Sequence, residues 1–498
     1  MRGAGHYKLG AKLVIAIGSN YYEAIRQYYR ELLETGIIRS NAETISKKKE
    51  KVLQSPMFCT WGEQKAIGIY EHGTTDEILN SIYYECKKSG MKSGLFVIDD
   101  KWEGEYGSLE HSETKLPHFE EFVKRVHGDS LYVGMWAAFL RCENPARYGL
   151  TVDNMLQTIN REPLVCSTSG KYFIFDVTQP EVQKVMRQQD RKFVKRYNPD
   201  LLKFDYGYEV APLIVAAPKD MNFAGEKFFE KALEVVIGAM REENPDIVVM
   251  YYNLSPLLNK YLDLSSIDDL LLCQGDEDLE ANHRIFFSGL MGEIGVPTYG
   301  SSGYEWNSAK EIWFDSAPSG NVGSLQSFKG DELGDTLSPN TIARYNGIAM
   351  VRRTSSSFHI EPLDCNYYSV ARGAHASSWV RYENDKAVLL ALRAYRLDGK
   401  KGVSQFKNLI ETNTSLIIAS KTNDEIGKSN ILAIVPFGNG QVSITCEKKN
   451  GKVIVKEHLL GGKIIKNLNL IKDGKLNITV RENIKGTEMV EWIEIEII

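Results

Sequence analysis

From Pro56 onward the chain repeats one pattern: a short apolar run, a polar turn, then a stretch with helical spacing. The runs occupy 57–61, 94–98, 131–139, 172–177, 201–204, 247–252, 270–273 and 296–299, with helical spacing near 75–89, 118–128, 180–196, 224–243 and 279–292. Runs this short and this apolar suit a parallel sheet, whose two faces are covered by the helices that return the chain. Eight of them alternating with helices predict a (β/α)8 barrel, a fold that takes about 250 residues with room for insertions. A doubly wound open sheet is the competing arrangement. It calls for a phosphate-binding glycine turn after its first strand, and the chain has none there.

Past residue 355 the texture changes to short β-branched segments separated by Gly, Asn, Asp or Lys turns, at 387–392, 416–419, 431–435, 442–446, 453–455, 476–480 and 489–498. That spacing predicts an antiparallel β-sandwich. Ahead of the barrel, a strand is expected over 12–17 and a helix over 21–35, with Ala24, Ile25, Tyr28 and Leu32 at helical spacing. The chain therefore divides into a lead-in (1–55), a catalytic barrel (56–354) and a C-terminal sandwich (355–498).

With 498 residues, 43% of them hydrophobic, the chain has material for a large core. A net charge of −5 argues against a nucleic-acid partner, which clustered Lys and Arg would serve. The one basic run, Lys47-Lys48-Lys49-Glu50-Lys51, reads as a solvated linker or helix end. Seven scattered cysteines without a C-x-x-C spacing predict reduced thiols and a cytoplasmic protein. The apolar run 13–17 is too short for a signal sequence and no run approaches membrane-spanning length, so no membrane contact is expected. No histidine spacing suggests a metal site, and the Gly3, Gly5, Gly10 cluster lacks nucleotide-binding spacing, so no metal and no cofactor are predicted.

The strand ends carry the chemistry. In Leu201-Leu202-Lys203-Phe204-Asp205-Tyr206-Gly207, Lys203 and Asp205 share one face of an extended strand, and a lysine beside a carboxylate favours its ionised form. Other runs end in Phe58-Cys59-Thr60-Trp61-Gly62-Glu63 and Ile98-Asp99-Asp100-Lys101-Trp102-Glu103; the third carries Gly134-Met135-Trp136, and Gln274-Gly275-Asp276-Glu277-Asp278 follows the seventh. Taken singly, Asp99-Asp100 reads as a turn cap, each tryptophan as core, and 276–278 as a solvated turn before a helix. Taken together, aromatic faces and carboxylates at one rim suit a sugar ring, and two carboxylates flanking a glycosidic bond suit its hydrolysis.

These residues resemble the retaining α-glycosidases of glycoside hydrolase families 31 and 36, the latter including α-galactosidases and raffinose synthase-like proteins. The likeness spans about 56–300 and rests on Trp61, Asp99-Asp100-x-Trp102, Gly134-x-Trp136 and Lys203-Phe204-Asp205-x-Gly207, with Asp176-Val177-Thr178-Gln179-Pro180-Glu181 similar as well. It implies that Asp205 is the nucleophile and Asp276 the acid/base, with Glu277 and Asp278 as alternatives. It further implies that Lys203, Asp99 and Asp100 hold the sugar while Trp61 and Trp136 wall the pocket. The substrate so implied is a terminal α-galactoside, and a homo-oligomer is expected. Three departures stand against the pattern: Gly207 at the nucleophile motif, Leu272-Cys273-Gln274 before the acid/base, and a lead-in too short for the families' N-terminal β-domain. α-Glucosidase, α-xylosidase and transglycosidase activities remain open within the same chemistry, and a catalytically inactive sugar-binding barrel outside it.

Overall fold

The structure, a computed structural model, describes residues 15–19, 21–69, 73–166, 171–206, 215–267, 277–299, 338–351, 359–363, 378–394 and 402–498. Its first unit is a curled, all-parallel sheet of seven described strands: Met57–Cys59, Leu95–Ile98, Tyr132–Ala137, Leu201–Phe204, Val248–Tyr251, Leu264–Ser266 and Thr298–Tyr299. Each is hydrogen-bonded to the next in that order, so the sheet grows by one neighbour with each return of the chain. Because side chains alternate, one set of residues faces into the curl. Met57, Cys59, Leu95, Val97, Leu201, Val248, Met250 and Leu264 form a single apolar cluster there. The other set, including Phe58, Phe96, Ile98, Leu202, Phe204 and Val249, packs against the helices. Gly134 belongs to the inner set. A Cβ at that position would sit 2.7 Å from the Val97 side chain, so the narrowing curl there has no room for one.

The expected helices form as Asp76–Lys88, Phe119–Gly128, Pro180–Tyr197, Glu226–Glu243 and Glu277–Glu293. Phe119–Gly128 shows why: Phe119, Phe122, Val123 and Val126 are buried at three- and four-residue spacing. Pro180 opens its helix at a position that needs no N–H donor, and Asn198 closes it in the left-handed region at φ 48°.

Several expectations are corrected. Residues 172–177 do not form a fourth parallel strand. Tyr172–Ile174 pairs antiparallel with Arg141–Cys142 and Val165–Cys166 in a separate three-stranded sheet. Phe173 is only half-buried, so this segment does not bury both of its faces as a central parallel strand must. Asp205 accordingly closes the fourth parallel strand, not the fifth. The strand Leu264–Ser266 escapes a search for apolar runs because two of its three residues are serines; both are fully buried, and Ser265 Oγ donates to the Asn253 carbonyl at 2.6 Å. The run 270–273 lies outside the described residues. In the lead-in, 15–17 are not a strand and 12–14 are not described. The helix there, Tyr21–Glu34, buries Tyr22, Arg26, Tyr29 and Leu32, while Ile25 and Tyr28 face outward. The basic run belongs to a helix, Lys47–Gln54, in which Lys49 is buried and donates to Asp263 at 2.7 Å.

The C-terminal segment forms two antiparallel sheets. The larger runs His359–Pro362, Trp379–Glu383, Lys386–Leu392, Leu416–Ser420, Ile431–Pro436, Glu488–Ile497, Gly451–Leu459, Ile464–Ile471, and the smaller Ser404–Phe406, Ile410–Thr412, Gly440–Thr445, Lys475–Val480. Leu390, Ile418 and Ile434 of the first share a core with Phe406, Val442 and Ile478 of the second. Helix Pro339–Val351 joins the two units. Tyr345 donates to the Met57 carbonyl at 2.9 Å, and Asn346 donates to Gly90 (3.0 Å) and to Glu491 (2.7 Å). Among the described residues no helix is long and apolar enough to cross a membrane.

Candidate active site

The inward set continues past the strand ends. Two residues beyond Cys59, Val97 and Gly134 lie Trp61, Asp99 and Trp136, and beyond Leu201 lie Lys203 and Asp205. The register sets Trp136 abreast of Lys203, and the Asp205 N–H extends the ladder by donating to the Ala137 carbonyl at 3.0 Å. Strand alternation thus gathers Asp99, Trp136, Lys203 and Asp205 at one rim, and Trp61 joins them from the start of the helix that follows the first strand.

Their hydrogen bonds join them further. Asp205 accepts from the Trp136 indole at Oδ2 (2.9 Å) and from the Tyr206 backbone N–H at Oδ1 (2.6 Å). The nearby Lys203 charge favours its ionised form. The Lys203 ammonium donates to Asp99 Oδ2 at 2.7 Å, because Asp99 on the second strand faces it across the curl. Cys59 donates its thiol to the same oxygen at 2.9 Å, and Asp99 Oδ1 accepts from the Asp100 N–H. Asp100 lies one residue off the inward parity; Tyr106 Oη reaches both of its oxygens (2.7 and 2.8 Å) and the Lys101 N–H reaches Oδ1 (2.5 Å).

Burial pushes the Asp205 carboxyl up to about 6, while the Lys203 charge and the Trp136 N–H pull the other way. At neutral pH it is mostly ionised, with a proton available slightly below. Asp100 is raised by burial against the pull of Lys101 and Tyr106. Burial and the adjacent Asp99 raise the Cys59 thiol well above the ordinary range, so it serves as a donor rather than a nucleophile.

Trp61 opens the short helix Trp61–Ala66 and packs, half-buried, against the inward apolar cluster. Trp102 is fully buried beneath the rim, stacked on Phe119 with ring centroids 5.4 Å apart, and its indole donates to the Trp136 carbonyl. It is core. Asp176 brackets the start of the helix Pro180–Tyr197: its carboxylate accepts from Thr178, Gln179 and the Lys219 N–H. Asp276 lies outside the described residues, and Glu277 and Asp278 are described only as the first turn of a helix backbone. Sequence reasoning missed Cys59, Tyr106 and Arg141 as members of this cluster. Cys59 was legible from its parity with Trp61, whereas Tyr106 arrives on a loop that carries no period and Arg141 on a two-residue strand too short to show one. Among the described residues no three His, Cys, Asp or Glu side chains converge to hold a metal ion.

No family model matches the sequence. The curated myogenesis-regulating glycosidase of Mus musculus is 24% identical over 178 residues, 34% of this chain and 23% of that protein. A family 36 α-galactosidase from Geobacillus stearothermophilus, in complex with 1-deoxygalactonojirimycin, superposes with a TM-score of 0.52 at 12% identity, over 96% of this chain and 59% of that one. An α-galactosidase from Lactobacillus brevis gives 0.50 at 10% identity, over 96% and 58%. The chain spans less than two thirds of either α-galactosidase chain. In fold it is thus similar to the family whose motifs its strand ends resemble.

Proposed function

We propose that this protein is a retaining glycoside hydrolase that removes terminal α-linked sugars, with α-galactosides as its preferred substrates, on a (β/α)8 barrel (56–354) followed by a β-sandwich (355–498). The observation that carries the reading is the setting of Asp205: a half-buried carboxylate at a strand end, oriented by two N–H donors and close to the Lys203–Asp99 pair. In the first step an Asp205 oxygen attacks the anomeric carbon as the bond to the leaving oxygen breaks, and Asp276 gives that oxygen its proton. In the second, water attacks the glycosyl ester, its proton passes to Asp276, and Asp205 leaves as the carboxylate. Asp99 and Asp100 accept hydrogen bonds from the 4- and 6-hydroxyls, a pairing suited to the axial 4-hydroxyl of galactose. Trp136 forms a wall and orients Asp205, while Lys203 holds Asp99 in place through their ion pair.

The test is turnover of nitrophenyl α-galactoside, α-glucoside and α-xyloside side by side, with the anomer first released identified by proton NMR. The expected result is fastest release from the α-galactoside, as the α-anomer. Release of the β-anomer, or activity on the glucoside or xyloside alone, refutes the mechanism or the specificity respectively. No turnover of any of the three leaves a sugar-binding barrel as the better reading.

A further inference from the structure

Asp100 and Asp205 sit on different strands, yet their backbones solve one problem in the same way. Each is followed by a non-glycine residue in the left-handed region, Lys101 at φ 67° and Tyr206 at φ 66°. In each case the N–H of that residue donates to the preceding carboxylate, at 2.5 and 2.6 Å. Left-handed backbone is unfavourable for a side chain with a Cβ and persists only where the surroundings impose it. The side chains of both residues lead to one place. Lys101 Nζ donates to Tyr106 Oη at 2.6 Å and lies over that ring, and the Tyr206 ring lies against the Arg141 guanidinium, 3.2 Å from the ring centroid. Arg141, fully buried, also stacks on Tyr172 at 4.0 Å and approaches Tyr106 at 5.4 Å. Its own backbone is fixed on both sides. It pairs with Ile174 in the three-stranded sheet, and Gly107 of the Tyr106 loop packs so closely that a Cβ there would lie 2.2 Å from the Arg141 carbonyl.

We propose that Arg141 is a positioning residue for the reaction: its flat guanidinium, held among Tyr106, Tyr172 and Tyr206, clamps Tyr206 in the left-handed conformation that aims Asp205, and braces the Tyr106 contact that aims Asp100. This rests on the reading of Asp205 as the nucleophile. A planar cation matches aromatic faces as an ammonium does not, so lysine is no substitute.

Arg141→Leu and Arg141→Lys are each expected to lower kcat by about 10²-fold, the cost of displacing a reacting group by an ångström. Adding Tyr206→Gly to Arg141→Leu is expected to recover most of that loss, because glycine holds the left-handed conformation without a clamp. A purely structural role for Arg141 predicts no such recovery. Wild-type kcat in Arg141→Leu, or no recovery in the double variant, overturns the proposal. If Arg141→Leu does not fold by circular dichroism, Tyr206→Val replaces it: a β-branched residue resists left-handed backbone, so the same loss is expected with Arg141 intact, and unchanged kcat overturns the proposal. A readout free of turnover separates failure of the clamp from failure of the glycosidase reading. Indole fluorescence of Trp136, whose N–H binds Asp205, should titrate near pH 6, lose that transition in Asp205→Asn, and shift to higher pH in Arg141→Leu as the Tyr206 N–H is withdrawn. Lys203 and Asp99, the other charges acting on Asp205, are unchanged in all these proteins, so an unmoved midpoint overturns the clamp.

Discussion

The acid at the centre of the candidate site is held differently from the buried acid of the C-terminal sandwich. In the C-terminal sandwich the buried Glu457 meets a cation directly, and half-buried acids nearby do the same. Glu457, almost wholly buried, takes both prongs of Arg481 at 2.7 Å each, and Lys456 is shared by Glu494 and Glu496 at 2.8 Å. Such pairs lie along neighbouring strands and leave little charge unspent. At the rim of the parallel sheet, Asp205 is instead held by two neutral N–H donors, while the nearby ammonium of Lys203 is bonded to Asp99. An acid neutralised by its own cation keeps little charge for attack on carbon. An acid oriented by neutral donors and left short of solvent keeps the electron density that attack on carbon requires.

The contrast predicts that substitutions will separate activity from stability. Asp205→Ala should lower kcat on the preferred glycoside by on the order of 10⁴-fold or more with the fold intact, whereas Glu457→Gln should leave kcat unchanged. Comparable kcat losses in both would erase the distinction. Next in size, Lys203→Met should cost roughly 10²- to 10³-fold in kcat, because it strips Asp99 of its cation and Asp205 of a nearby positive charge. It should also move the acid limb of the pH–rate profile upward; a limb that stays in place would show that Lys203 acts through Asp99 alone. Arg481→Leu belongs to the other half: about 2 kcal/mol of stability lost in urea melts, the partial exposure of Arg481 holding the cost down, with kcat unaltered.

The smallest effect concerns pH. With the Asp205 carboxyl at about 6 rather than its usual 3.8, the folded chain holds a proton that the unfolded chain has lost between those values. That contribution to stability is complete below the unfolded value and disappears as pH rises through the folded one. Asp205→Asn should therefore gain stability relative to the wild type as pH rises from about 4 to about 7, and kcat/KM of the wild type should fall below about pH 6. A stability gap independent of pH would contradict the burial of this group.

Much of this arrangement was legible in the chain. Period-two alternation placed Lys203 and Asp205 on one face, the strand ends pointed to Trp61, Asp99 and Trp136 at the same rim, and helical spacing located five helices within a few residues. What was not legible has physical causes. The strand Leu264–Ser266 hides because buried serines satisfy their hydroxyls on backbone instead of announcing themselves as apolar. Residues 172–177 look like a barrel strand because tyrosine, phenylalanine and isoleucine suit any pleated surface, and only the partner strands decide which sheet receives them. Lys203 and Asp205 share a face, but a two-residue spacing cannot reveal that Asp99, from another strand, lies nearer the ammonium. The left-handed turn at Tyr206 and the Arg141 collar depend on loops and two- or three-residue strands with no period to read.

The central claim is that Asp205 forms a covalent bond to sugar, and trapping that bond tests it most directly. Incubation with a 5-fluoro-α-galactosyl fluoride, which slows release of the glycosyl enzyme more than its formation, should add one fluorohexosyl group per chain. Peptide mass spectrometry should place that group on Asp205. Label on another residue, or steady turnover of galactosides with no label on any, would contradict the account.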